Sequence, residues 1–303
     1  MSTPVVPSLE NTYKAGIALQ LYLHPPPDRP VNEWCDYKEN APLMTDIVDR
    51  LNASITHRVP LPSTPADISI TLDKRLVSSM RRIPHVWTAR VQGSSTDTVY
   101  PPVIVAKIYD PVYVDSADAE YADPFALLDL TVSREVEAYR RLERLQGTKV
   151  PRFYGHFVAP LPTQRDRTVN VILLEYIRGR DLRDLVPPEA TNTLCSEHKD
   201  AVIDASLRLY FDIYACGVVQ RDMQPRNVIM RPPRRRDGRF CSTEGCPLRL
   251  EADREDVQAV MVDFEVVDFE EPDVRFSDRA SQQDYIDAVK SEYLGKWLEN
   301  TMP

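Results

Sequence analysis

The sequence predicts an α+β protein of two lobes, a small antiparallel sheet followed by a shortened, mainly helical part. Three observations predict it. Strand-like segments and one amphipathic helix fill residues 68–174, a helical pattern occupies 198–216, and loops carrying Asp and Asn follow.

Taken in order, residues 1–66 read as an irregular Pro-rich arm that includes Leu21-Tyr22-Leu23-His24-Pro25-Pro26-Pro27, with a short helix over Leu43–Leu51. Ile68-Ser69-Ile70-Thr71-Leu72 alternates with the period of a strand, and His85–Val91 and Val103–Ile108 follow. Gly93-Ser94-Ser95 supplies the turn between the last two. Val132, Val136, Tyr139, Leu142 and Leu145 fall at spacings of three and four, which predicts a helix over about 128–145. Phe153–Phe157 and Val169–Leu174 complete the strands, and Val202, Ala205, Leu209 and Tyr210 mark the later helix. The expected domains are the arm (1–66), the sheet lobe with its connection (67–177), and the helical lobe (178–303) with an insertion at about 231–256.

Composition narrows the class. Hydrophobic content of 43% and charged content of 27% over 303 residues are those of a globular protein. No apolar run reaches bilayer length, and Met1-Ser2-Thr3-Pro4 does not open a secretory signal, so no membrane partner is expected. Five cysteines, at 35, 195, 216, 241 and 246, follow no disulfide framework; the expected compartment is the cytoplasm. A net charge of −9 argues against broad nucleic-acid binding. Nine glycines stand against 26 prolines, so loops are stiffened by Pro.

The chemistry concentrates in two segments. Gln220-Arg221-Asp222-Met223-Gln224-Pro225-Arg226-Asn227 places an Asp and an Asn five residues apart before an apolar strand. Val260-Met261-Val262-Asp263-Phe264-Glu265 puts an Asp at the end of another. Phosphoryl transfer from ATP uses such a set: a carboxylate that orients a hydroxyl, with an amide and a second carboxylate that hold Mg²⁺.

These segments resemble the catalytic loop and metal-binding motif of the protein-kinase-like superfamily, over about Ile68 to Glu270. Gly217-Val218-Val219-Gln220-Arg221-Asp222, with its Pro225 and Asn227, is similar to the loops of kinase-like proteins of filamentous fungi and of aminoglycoside-phosphotransferase-like enzymes. The resemblance implies a bilobal protein-kinase-like fold and ATP with Mg²⁺ as cofactors. Val105-Ala106-Lys107 looks like the strand whose Lys contacts phosphates, with Glu135 as its partner on the helix and Glu137 as the competing candidate. Ile172–Leu182 looks like the hinge, with Leu174 as gatekeeper and main-chain groups near Glu175 and Ile177 pairing with adenine. Asp222 takes the place of the catalytic carboxylate, and Asn227 and Asp263 those of the metal ligands.

The chain departs from the family at several places. The stretch Leu76–Pro84 has no glycine-rich loop, although Ser78, Ser79, Arg81 or Arg82 offer side-chain donors. Gln220 replaces the loop histidine, Gln224 the usual Lys, and Glu265 the glycine after Asp-Phe. Only about 40 residues follow Asp263, too few for a protein-substrate platform, which favours a small-molecule hydroxyl as acceptor. The insertion carries Arg234-Arg235-Arg236, a candidate RNA or tRNA contact. Its Cys241-x₄-Cys246 has no second Cys pair or neighbouring His in sequence, so no metal site is expected there. Two alternatives stay open: another group transfer on this fold in fungal secondary metabolism, such as tRNA-dependent cyclodipeptide synthesis, and an inactive kinase-like binding module.

Overall fold

The structure, a computed structural model, describes residues 12–32, 44, 46–76, 84–95, 98–115, 122–185, 195–231, 246 and 258–287. The chain has a mixed α/β architecture and divides into two compact units, Met1–Val136 with Arg152–Tyr176, and Glu137–Pro151 with Ile177–Pro303.

The first unit is an antiparallel barrel. Its elements are β1 (Ala18–Leu23), α1 (Ile47–Thr56), β2 (Ile68–Arg75), β3 (His85–Ser94), β4 (Val103–Tyr109), α2 (Pro124–Arg141, shared with the second unit), β5 (Phe153–Leu161) and β6 (Arg167–Glu175). The strands close in the order β1-β2-β3-β4-β6-β5. Closure depends on β1, which pairs with β2 through Ala18↔Thr71 to Leu21↔Ile68 and with β5 through Tyr22↔Val158 and Leu23↔Phe157. It leaves no sheet edge to be capped by other means.

This strand corrects the reading of residues 1–30 as irregular. No proline lies between Pro7 and Pro25, so the strand itself is free of them, and Leu19 and Leu21 alternate into the core beside Ile68, Ile70 and Leu72. The helices shift for local reasons as well. Asp46 caps α1, accepting from the Val48 amide at 2.6 Å, so the helix opens at Ile47 and not Leu43. Asp123 accepts from the Phe125 amide at 2.9 Å, and Pro124 sits at the first helical position of α2.

A buried ion pair crosses the barrel end. Arg167 donates to Asp110 through both terminal nitrogens, at 2.8 and 2.7 Å, and both side chains are fully buried. Asp110 also accepts from the Tyr13 hydroxyl at 2.7 Å and the Val112 amide at 3.1 Å. Burial raises the Asp110 carboxyl, but the charge and hydrogen bonds of Arg167 outweigh it and hold the group below the usual carboxylate range.

In the second unit α3 (Leu182–Leu185) and α4 (Ser196–Tyr214) accompany two small sheets, with a further helical run at 279–287. β7 (Arg180–Asp181), β9 (Val228–Arg231) and β10 (Gln258–Met261) form one sheet in the order β10-β9-β7. β8 (Val218–Gln220) and β11 (Val267–Phe269) form the other. Two glycines permit these pairings. A Cβ on Gly179 would lie 2.4 Å from the Met230 carbonyl oxygen. One on Gly217, which has φ +74°, would lie 2.4 Å from that of Glu270. Phe211 stacks on Phe276 at 5.2 Å in the small core under α4. No helix among the described residues is long and apolar enough to cross a membrane.

Candidate functional site

In the first unit the period of β4 sorts its side chains. Ile104, Ala106 and Ile108 enter the barrel core, and Lys107 and Tyr109 take the other face. Both meet Glu135 of α2. Lys107 Nζ lies 2.8 Å from each carboxylate oxygen, and the Tyr109 hydroxyl donates to Oε2. The Lys107 and Glu135 side chains are 5% and 0% exposed, so the pair is desolvated and each charge depends on the other. Glu137, the competing partner, is bound instead by Arg140 and Arg141 one turn along. Those guanidinium hydrogen bonds hold its carboxyl below its ordinary value against the opposing effect of burial.

Glu175 ends β6. Its amide donates to the Arg152 carbonyl at 2.8 Å, and its carboxylate accepts from the Arg152 amide at 3.1 Å. Leu174 is buried in the same strand, and Ile177, also buried, opens the second unit's later segment. The residues named in place of a glycine loop, Ser78, Ser79, Arg81 and Arg82, lie outside the described residues, as do Arg234, Arg235 and Arg236.

The second unit assembles the polar loops. β8 pairs with β11 at Gln220↔Val267, and β9 pairs with β10 at Val228↔Met261. The segments 221–227 and 262–266 are therefore the links between the same two ladders. The Val262 amide donates to the Asn227 carbonyl at 2.9 Å and joins them directly.

Asp222 and Asn227 form one cluster. Asn227 Nδ2 donates to the Asp222 main-chain oxygen at 2.9 Å and to its Oδ2 at 3.0 Å. With the amide nitrogen committed there, the atom of Asn227 suited to a hard cation is Oδ1. Arg226 also donates to Asp222 Oδ2, at 2.7 Å, so one oxygen of this carboxylate carries both contacts.

Gln220 ties that cluster to Asp263. Its Oε1 accepts from the Asp222 amide at 2.9 Å, and its Nε2 donates to the Asp263 carbonyl at 2.7 Å. Asp263 has φ +76°, the left-handed region that a residue with a Cβ seldom occupies. Phe264 beside it is fully buried and meets the Tyr139 ring edge-on at 5.3 Å. The backbone of Asp263 is thus held in that conformation with Gln220 on its carbonyl and a buried Phe264 next to it.

Sequence reasoning missed Arg226 and the role of Gln220. The spacing of Asp222 and Arg226, four residues, was the available signal for the first. Gln220, which replaces the loop histidine, has an amide that offers both a donor and an acceptor and so serves both loops.

No family model matches the chain, and no curated protein matches it. Among solved structures it is similar to WaaP, described in a complex with acyl carrier protein. That likeness has a TM-score of 0.39 and 13% identity, over 75% of this chain and 87% of the other. It is too slight to carry fold or chemistry, which rest on the residues themselves.

Proposed function

We propose that the chain is an ATP- and Mg²⁺-dependent phosphotransferase of the kinase-like type, acting on the hydroxyl of a small molecule. In this reading 67–177 is the nucleotide lobe of a bilobal kinase-like fold and 178–303 the catalytic lobe. The observation that carries it is the Gln220 bridge, which holds the Asp222 amide and the Asp263 carbonyl at once.

The roles follow from the chemistry of each group. Lys107, held by Glu135, which also accepts from Tyr109, supplies a compact positive charge for phosphate oxygens. Asn227 Oδ1 and the Asp263 carboxylate would hold Mg²⁺, which neutralises charge developing on the phosphoryl group. Asp222, with Oδ2 engaged by Arg226 and Asn227, keeps Oδ1 to orient the acceptor hydroxyl and to take its proton late in the transfer. Main-chain groups near Glu175 and Ile177 serve adenine.

Titration calorimetry of Mg·ATP into wild type and Asp263→Ala tests this. We expect wild type to bind and the variant to bind about tenfold more weakly or worse, a loss of about 1.4 kcal/mol. Absence of binding to both proteins sinks the proposal.

A further inference from the structure

Cys195, His198 and Cys246 form a cluster of side chains that could hold a metal ion, and it includes none of the residues assigned to phosphotransfer. Cys195 is the N-cap of α4 and His198 falls in its first turn, while Cys246 comes from the insertion between β9 and β10. His198 Nδ1 lies 3.2 Å from Cys195 Sγ and 3.4 Å from Cys246 Sγ. The three ligand atoms all lie within 4.8 Å of one another. His198 is fully buried, and the two free thiols are 9% and 5% exposed.

This corrects the expectation that Cys246 has no metal partners. They come from 51 and 48 residues earlier in the chain, at the start of a helix, where local spacing cannot reveal them.

The distances are those of ligands around a shared ion. A tetrahedral zinc with bonds of about 2.3 Å to sulfur and 2.0–2.1 Å to nitrogen has sulfur–nitrogen edges of about 3.5 Å. One cation on the Nδ1 lone pair of His198 can be shared by both sulfurs. Cys195 Sγ also accepts the His198 amide, at 3.4 Å, and the positive end of α4 favours the thiolate that a metal requires.

We propose that Cys195, His198 and Cys246 bind a structural zinc ion that ties the insertion to the start of α4. Two thiolates and an imidazole form a soft donor set, which selects zinc over magnesium, and their burial suits a closed structural site. Cys216 is separate. It accepts from Arg144 Nε at 3.2 Å and donates to the Asp212 carbonyl at 3.4 Å.

The test is metal analysis of full-length protein purified without chelator, with cobalt(II) as the spectroscopic probe. We expect about one zinc per chain, and a cobalt-substituted form with the intense visible bands of a tetrahedral site and thiolate charge transfer from two or more sulfurs. Cys195→Ser and Cys246→Ser should each lower the zinc content at least about tenfold, with Cys216→Ser unchanged. Should the Ser variants fail to fold, the wild-type stoichiometry and cobalt spectrum still decide. A metal-free wild type that takes up neither zinc nor cobalt overturns the proposal, as does full zinc content in both ligand variants. Neither result depends on ATP binding.

Discussion

The Nε2 of Gln220 donates to the main-chain carbonyl of Asp263 at 2.7 Å. The same Gln220 amide accepts from Asp222, and its side chain is almost fully buried. Gln220→Leu keeps the approximate volume and leaves two main-chain groups without this partner. The expected cost is about 2–4 kcal/mol of folding stability, since each stranded buried group costs about 1–3 kcal/mol. Mg·ATP affinity should fall with it. Denaturant unfolding checks the first and calorimetry the second; a variant within about 0.5 kcal/mol of wild type, with unchanged affinity, would show that the bridge positions nothing.

Lys107 and Glu135 pose a different question, because a buried pair is structural and functional at once. Lys107→Met alone leaves the Glu135 carboxylate buried without its cation, and should cost about 3–5 kcal/mol. Adding Glu135→Gln removes the stranded charge and keeps an acceptor for Tyr109, so most of that stability should return. Mg·ATP binding should not return with it. If the double variant binds Mg·ATP as tightly as wild type, Lys107 is a packing cation and the phosphate role assigned to it is wrong.

Much of this was legible from the chain for a physical reason: alternation and short-range spacing are local. The face of β4 that carries Lys107 follows from the strand period, and so does the burial of Leu19 and Leu21 in β1, although the nearby prolines obscured that strand. The partnership of Lys107 with Glu135 needed the family resemblance, since 28 residues separate them. Pairings with no local mark were not legible. Arg167 meets Asp110 across 57 residues, and Cys246 meets His198 across 48, each set by which strands or helices come together. Positive φ at Asp263 was equally hidden, because Asp tolerates the left-handed region better than most residues but enters it only occasionally.

Asp110→Asn tests the Arg167 pair. The substitution keeps the shape and the hydrogen-bonding capacity toward Tyr13, but leaves Arg167 charged and fully buried without its counterion. A loss of about 3–5 kcal/mol is expected. The sign of the pH effect is fixed by the lowered carboxyl: the stabilisation is present above the carboxylate's unfolded pKa and disappears as pH falls through its folded value. Acid unfolding of the variant should therefore be shallower than that of wild type. Equal stability of the two proteins at neutral pH would remove the pair from the barrel's energetics.

His85 gives an opposite handle on the same barrel in the mildly acidic range. Its ring packs against Tyr113 at 4.7 Å and Tyr13 at 5.0 Å, and Arg75 donates to Nδ1 at 2.9 Å. Burial, reinforced by Arg75 and opposed by Asp110, lowers its pKa from 6.5 to about 4. The folded state thus refuses a proton that the unfolded chain accepts, so stability is full above about pH 6.5 and drains away toward pH 4. Between about pH 7.5 and 5 the loss from this residue should be about 2 kcal/mol. His85→Gln removes the titration while leaving a polar side chain for Arg75. Urea unfolding of both proteins across that range should show the wild type losing about 2 kcal/mol more than the variant. Parallel pH dependences would mean that His85 takes up its proton in the folded barrel and that its burial beside Tyr13 and Tyr113 does not lower its pKa.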